Sequence, residues 1–477
     1  MLPVPSIRPR WQYRVMRFWC WCVVALAACT KPNPEVCCLD AADCASIGVS
    51  DPERTCAEGL ACVNNACVVP SCSTDGCSAE APVCDIGLDV CTGCTGPADC
   101  DQFSTKVCDT QSGACVGCLT SGDCDTGTPV CEANACRGCH LDSECQTGAC
   151  DDDTGTCVSE TSSVYVSPTG INQGDCGQAS PCATVVFAAT KTTAVRNHIV
   201  LLQGRYAQNA VINSQVTQTP FLFVHGGGSD FGDASLVDGT PLIDVQLPSL
   251  IRNLKIVNQP NATSININTG SRVEHVRLEN SGGFSAIGTA TIVDSQVLNP
   301  NEHGIRFTGT ITLDRITISG GTVGVESNVA GSMIDATNLL VSRTSGLAVN
   351  LPGTNGVIRF STIADAGMDA GSGPRAVVCN VGLLIQSTII WAPGNGTVRA
   401  AIGGGPSDCP RSSTIVGPTP VAGASNDDPQ FVNASAGDYH LGQGSPARDA
   451  IDSGPAFDFE NEARPKGLRF DLGADER

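Results

Sequence analysis

The sequence predicts an all-β protein in two parts: a solenoid of stacked strands, preceded by a small disulfide-rich repeat region. Cysteine placement is the first observation behind this. Of the 29 cysteines, 22 fall between Cys37 and Cys157, and from residue 183 onward only Cys379 and Cys409 occur. The second is a change of texture after Val158 to Val, Ile, Thr, Asn and Gly, with few charges. The third is a strand-length motif that recurs through that stretch with no clear helical segments between copies, as expected when each turn of chain buries its apolar face on the last.

Four cysteine units share one plan. Cys72, Cys77, Cys84 and Cys91 form the first, and Cys94, Cys100, Cys108 and Cys115 the second. Cys118, Cys124, Cys131 and Cys136 follow, then Cys139, Cys145, Cys150 and Cys157. The C-x2-C doublets that imitate a zinc ribbon, "CVGC" and "CRGC", are therefore seams between units. Units this short cannot bury a sufficient core and need covalent constraint. Spacing leaves the pairing open. Acidic residues flank the cysteines, as in Asp99-Cys100-Asp101 and Asp123-Cys124-Asp125. They read as a solvated face, with calcium the one ion they could take; no other metal or cofactor is implied.

The N-terminus carries an export signal. Arg8, Arg10, Arg14 and Arg17 precede the apolar run Phe18 to Cys29, which is too short to span a bilayer permanently. The run ends in Leu26-Ala27-Ala28-Cys29, which resembles the lipobox of bacterial lipoproteins. The resemblance implies a signal peptide over 1–28 and a lipid-bearing Cys29, anchoring the chain at the outer membrane or cell surface; Thr30 mildly favours the outer membrane. The alternative is cleavage at a small-residue site with release. Dropping Cys20, Cys22 and Cys29 leaves an even 26, which in an exported chain reads as a disulfide framework. Residues 29–71 form an irregular cysteine-rich segment and 72–157 a stalk of repeats.

The solenoid motif begins at Ile251, Val273, Ile292, Leu313, Ile334, Ile358 and Leu384. Its sixth residue is always apolar (Ile256, Leu278, Val297, Ile318, Leu339, Ile363, Ile389) and should stack inside the coil. Its eighth is Asn258, Asn280 and Asn299 in successive copies, as in an asparagine ladder at a turn. At the N-terminal end, "SPCATVVFAATKTT" predicts a capping helix with Ser180 as N-cap and Pro181 at the first helical position. Cys176 and Cys182 flank that cap and are expected to pair; Cys379 and Cys409 are expected to link adjacent turns.

The pattern over 162–425 resembles the right-handed parallel β-helix of the pectin-lyase-like superfamily. Residues 426–477 resemble the terminal block of bacterial surface β-helix proteins described as choice-of-anchor Q. The matching positions are Asp428-Pro429, Phe431, Asp438-Tyr439-His440-Leu441, Ser445-Pro446-Ala447, Arg464-Pro465 and Asp471-Leu472-Gly473-Ala474 with Glu476. Arg448 and the stretch around Asp458 depart from it. The block implies a folded end-cap.

Stacked copies place neighbouring rungs about 4.8 Å apart. The third and fifth motif positions then form a polar strip, with Asn253, Lys255, Gln296 and Arg315 as candidate ligand contacts. Glycoside hydrolysis requires two carboxylates, which Asp314 stacked on Asp335, with Arg359 beyond, would supply. A uronate lyase requires a base beside a cation, which His275 or Arg277 near Asp294 would supply. Both depend on register, because a one-residue slip reverses every side chain. The superfamily's hydrolase signatures are missing, and the lone "HGG" at His225 is not one of them. With 27 Lys plus Arg against 48 Asp plus Glu, the net charge of −21 argues against a nucleic-acid partner. The reading is a lipid-anchored surface protein with a structural or adhesive role, binding polysaccharide or another cell-surface component. A polysaccharide lyase or glycoside hydrolase on the same face competes with it, and a stalk that itself binds is a third reading.

Overall fold

The computed structural model describes residues 61–477, except 64–65, 69–71, 73–75, 207–209, 218, 227–233, 237–242, 259–262, 368–375, 393–401 and 404–408. The leader, Cys29 and most of 29–71 lie outside the described residues. Two compact units are present, one ending at Val116 and one running from Gly117 to Arg477. The last two cysteine repeats thus belong to the same unit as the solenoid.

Every repeat pairs its first cysteine with its third and its second with its fourth. The first unit holds Cys72–Cys84, Cys77–Cys91, Cys94–Cys108 and Cys100–Cys115. The second holds Cys118–Cys131, Cys124–Cys136, Cys139–Cys150 and Cys145–Cys157. Each doublet cysteine is therefore bonded inside its own repeat. The recurring acids also acquire a purpose. Asp99 accepts the N–H groups of Thr95 and Gly96, Asp123 those of Leu119 and Thr120, and Glu144 those of His140 and Leu141. Each closes a short 3-10 turn whose first amides would otherwise lack acceptors.

Among the described residues, 23 strands from Ser163–Val166 to Ile415–Gly417 join in one parallel array. Each full turn has three faces, traced by Ser285, Thr291 and Gln296 pairing with Arg306, Thr312 and Thr317 of the next rung. In the rungs from Asn253 to Ser413, the corner between the second and third faces is a single residue with positive φ: Asn253, His275, Asp294, Arg315, Asn338, Phe360, Ser387 and Ser413. A second such column contains Asn258, Asn280, Asn299, Arg343 and Asp365. Asparagine tolerates this region best, which explains its recurrence there. Asn299 donates to Asn280 at 3.2 Å, one step of the ladder.

Inside run fully buried aliphatic columns. One is Ile256, Leu278, Val297, Ile318, Val341, Ile363, Ile390 and Val416. At about 1.5–3 kcal/mol per buried side chain, such columns supply the main driving force. Two expected members are displaced: Val341 replaces Leu339, and Ile390 replaces Ile389. Both sit in continuous apolar runs, Leu339-Leu340-Val341 and Ile389-Ile390, where more than one residue satisfies the apolar position of the motif.

The N-terminal cap is also shorter than expected. The helix is Val185–Ala189, with Thr184 as N-cap accepting from Phe187 N–H. Ser180 and Pro181 lie before it because Cys182 pairs its backbone with Tyr165 and Ser167, which holds the chain extended there. Cys176 bonds Cys182. Cys379 bonds Cys409, and the flanking pairs Val377–Ile402 and Ile385–Arg411 place them on adjacent turns.

Candidate functional site

The fifth-position strip stacks in the expected register: Lys255 on Arg277 on Gln296 on Thr317. In the following rungs the same column reads Leu340, Thr362, Ile389 and Ile415. There the terminal block docks: Ile389 and Ile415 pack with Leu441, Ala447 and Leu472, and Leu340 with Tyr439 and Ala474. An outward column that turns apolar was the sequence signal for this lid, and the misplaced register hid it.

The opposite end is covered as well. The last cysteine repeat packs Ala149 and Val158 against Tyr165 and Val200 of the solenoid. Asp142, fully buried, accepts from Asn253 Nδ2 at 2.6 Å and faces His225 Nδ1 at 3.0 Å. Arg252 donates to Asp152 at 2.5 Å and to the His140 carbonyl. Asn253 is therefore only 1% exposed and does not offer its amide to a ligand, which corrects its place in the strip.

Between the two covers lies an open cleft of about 410 Å³. His275, Asp294, Gln296 and Arg315 form its floor, with Phe459, Glu460 and Asn461 of the terminal block as the far wall. Arg315 bridges two carboxylates, donating to Asp294 through Nε and Nη2 and to Asp314 through Nη1. Its hydrogen bonds to Asp294 raise its pKa further above the ordinary arginine value. Burial pushes the Asp314 carboxyl up, with Arg315 pulling against it, and Asn338 supplies a donor at 3.1 Å. Arg277 and Lys255 both reach Glu279, at 3.3 and 3.4 Å. His275 keeps a bare atom, a buried Nδ1 without a hydrogen-bond partner, as do Arg277 at Nε and Asn338 at Oδ1.

A second cleft of about 600 Å³ has Asp314, Asp335 and Arg359 on its floor and Ser453 to Pro455 on its wall. The two aspartates share it without stacking. The ladder pairs Asp314 with Thr337 and Asp335 with Thr312, a two-residue offset from the expected row. Arg359 also stacks on Thr337, although its guanidinium reaches Asp335 at 2.9 Å. The cause is again the copy at Ile334, whose equivalent start is Ala336.

Sequence reasoning overlooked a third cleft, of about 520 Å³, beside Asp151, Asp152 and Asp153. There His198 stacks on Phe223 with ring centroids 4.2 Å apart, and its Nδ1 lies 2.9 Å from His225 Nε2. Burial, then the His225 imidazole, push the His198 pKa down to about 3, so the ring is neutral at ordinary pH. His225, the residue of the "HGG" triplet, links it to Asp142 and is itself 1% exposed. The alternation of Phe221, Phe223 and His225 at every second position was the available signal.

No family model and no curated protein matches the chain. Among solved structures it is similar to the pectate lyase Pel9A, at 12% identity over 67% of this chain and 100% of that one, with a TM-score of 0.34. It is also similar to a rhamnogalacturonan lyase, at 10% identity over 57% of this chain and 90% of the other, with a TM-score of 0.33. The strand ladders by themselves establish the β-solenoid.

Proposed function

We propose that the chain is an exported, lipid-anchored surface protein that binds a polysaccharide in the cleft between the solenoid and its terminal block, without cleaving it. One observation carries the non-catalytic reading: the charged groups of the strip are spent on each other. Arg315 is held by Asp294 and Asp314, and Arg277 and Lys255 share Glu279. A lyase needs a cation to neutralise the substrate carboxylate, and a hydrolase needs an acid and a base not already engaged. Paired cations and a chain charge of −21 favour a glycan without dense negative charge. Phe459 supplies an apolar face to the cleft, and Gln296 and Asn461 supply hydrogen bonds.

The competing lyase or hydrolase reading rests on the bare Nδ1 of His275 beside Asp294. Incubation with neutral and uronic-acid polymers, with and without calcium, separates the two. Binding without new chain ends is the expected outcome. Turnover that disappears in Asp294→Ala, Asp314→Ala or His275→Ala would replace this proposal with the enzymatic one. The anchor rests on Leu26-Ala27-Ala28-Cys29. Cys29→Ser should move the protein from the membrane to the soluble fraction, and unchanged membrane association would contradict lipidation there.

A further inference from the structure

We infer that the terminal block binds a divalent transition-metal ion of the zinc class through His440, Glu460 and Asp475. Each offers one ligand atom, and these atoms all lie within 4.8 Å of one another. They come from separate parts of the block: His440 from the strand Asp438–Leu441, Glu460 from the turn after Asp458, and Asp475 from the segment after Ala474.

The independent observation is Asp475 itself. It is 2% exposed; its Oδ2 accepts the Leu441 N–H at 2.7 Å and lies 3.4 Å from Arg477 Nε, while its Oδ1 is buried with no hydrogen-bond partner. A bare buried carboxylate oxygen is costly and calls for a proton or a cation. Asp458 repeats the pattern: it is fully buried, its Oδ1 accepts from the Glu460 and Glu462 amides, and its Oδ2 is bare. Within this block Asp458, Asp471, Asp475 and Glu476 are all buried, against Arg464 as the one buried cation. A divalent ion at His440 would offset that excess of negative charge.

Both ring nitrogens of His440 face carboxylates, so a bound ion would displace the proton that Nε2 shares with Glu460. The His440 Nδ1 lies 2.5 Å from Asp438 Oδ1, and its Nε2 points at Glu460 Oε2, 2.9 Å away. A carboxylate on the far ring nitrogen fixes the tautomer and raises the basicity of the ligating one. One imidazole with two carboxylates selects zinc-like ions over calcium, which takes oxygen ligands only. Three protein ligands leave a coordination position free. Because Glu460 also walls the 410 Å³ cleft, the ion would sit beside the proposed glycan site, although the assignment does not depend on that reading.

Equilibrium dialysis of the chelator-treated full chain against Zn²⁺ tests this, comparing wild type with Asp475→Asn, His440→Ala and Glu460→Gln. The Asp475→Asn change keeps a side-chain oxygen that can accept the Leu441 amide, and Glu460 is 43% exposed, so two of these variants should fold normally. The expected result is one more zinc per chain in wild type than in each variant, retained in excess calcium, with a rise in wild-type Tm on adding zinc that the variants do not show. Equal zinc content in wild type and Glu460→Gln, or loss of the extra ion to calcium, would overturn the assignment.

Discussion

Asp142 meets the Cys150 amide, the His225 imidazole and the Asn253 amide with two oxygens, and Arg252 approaches at 3.5 Å. Because the carboxylate is fully buried, replacing it leaves these groups facing an unsuitable partner. Asp142→Asn should cost about 3–5 kcal/mol in denaturant unfolding, the range for breaking a buried ion pair. Burial pushes this carboxyl up, but His225 and Arg252 outweigh it and hold its pKa below the ordinary value. The unfolded chain then binds the proton more readily, so this contribution is complete above the ordinary carboxylate pKa and is lost as pH falls through the lower folded value. Asp142→Asn should flatten the acid limb of the stability profile; an unchanged limb would contradict the assignment. None of this was legible from composition, since Asp142 reads as one more acid beside a cysteine and His225 as a failed motif.

At the level of elements, the solenoid depends on corners that ordinary residues rarely adopt. Gly309 has φ +101°, and a Cβ there would clash with the Gly288 carbonyl oxygen of the rung before it. Gly309→Ala should therefore destabilise by about 1–3 kcal/mol and lower Tm, whereas an unchanged Tm would mean that the corner relaxes freely. The asparagine corner was legible because Asn is the residue that tolerates positive φ. The other corner was not, because His275, Asp294, Arg315 and Phe360 share no chemistry, only a backbone angle. Strand existence and the first four rungs of register were legible from the motif. The slips, by two residues at Ile334 and by one at Leu384, arose where runs of apolar residues offered two registers. For the cysteine repeats, the count and period were readable, while the pairing depended on three-dimensional closure.

Over the whole of the larger unit, the two solenoid faces that meet at the His275 corner change character along their length. A cysteine repeat covers their beginning through Asp142 and Arg252, and the terminal block covers their later rungs through Leu340, Ile389 and Ile415. The rungs of His275, Asp294 and Arg315 stay open between them, and this window is the proposed glycan site. The strip was visible in the sequence as a polar column; its restriction to a window was not, because both covers come from distant parts of the chain. The most direct measurement is affinity electrophoresis through gels containing a neutral or a uronic-acid polysaccharide, run on wild type and Phe459→Ala, with released chain ends assayed in parallel. Glycan binding without cleavage predicts retardation of wild type by a neutral polymer, weaker retardation of Phe459→Ala, and no chain ends from either. Equal retardation of both proteins, or chain ends released by wild type, would contradict it.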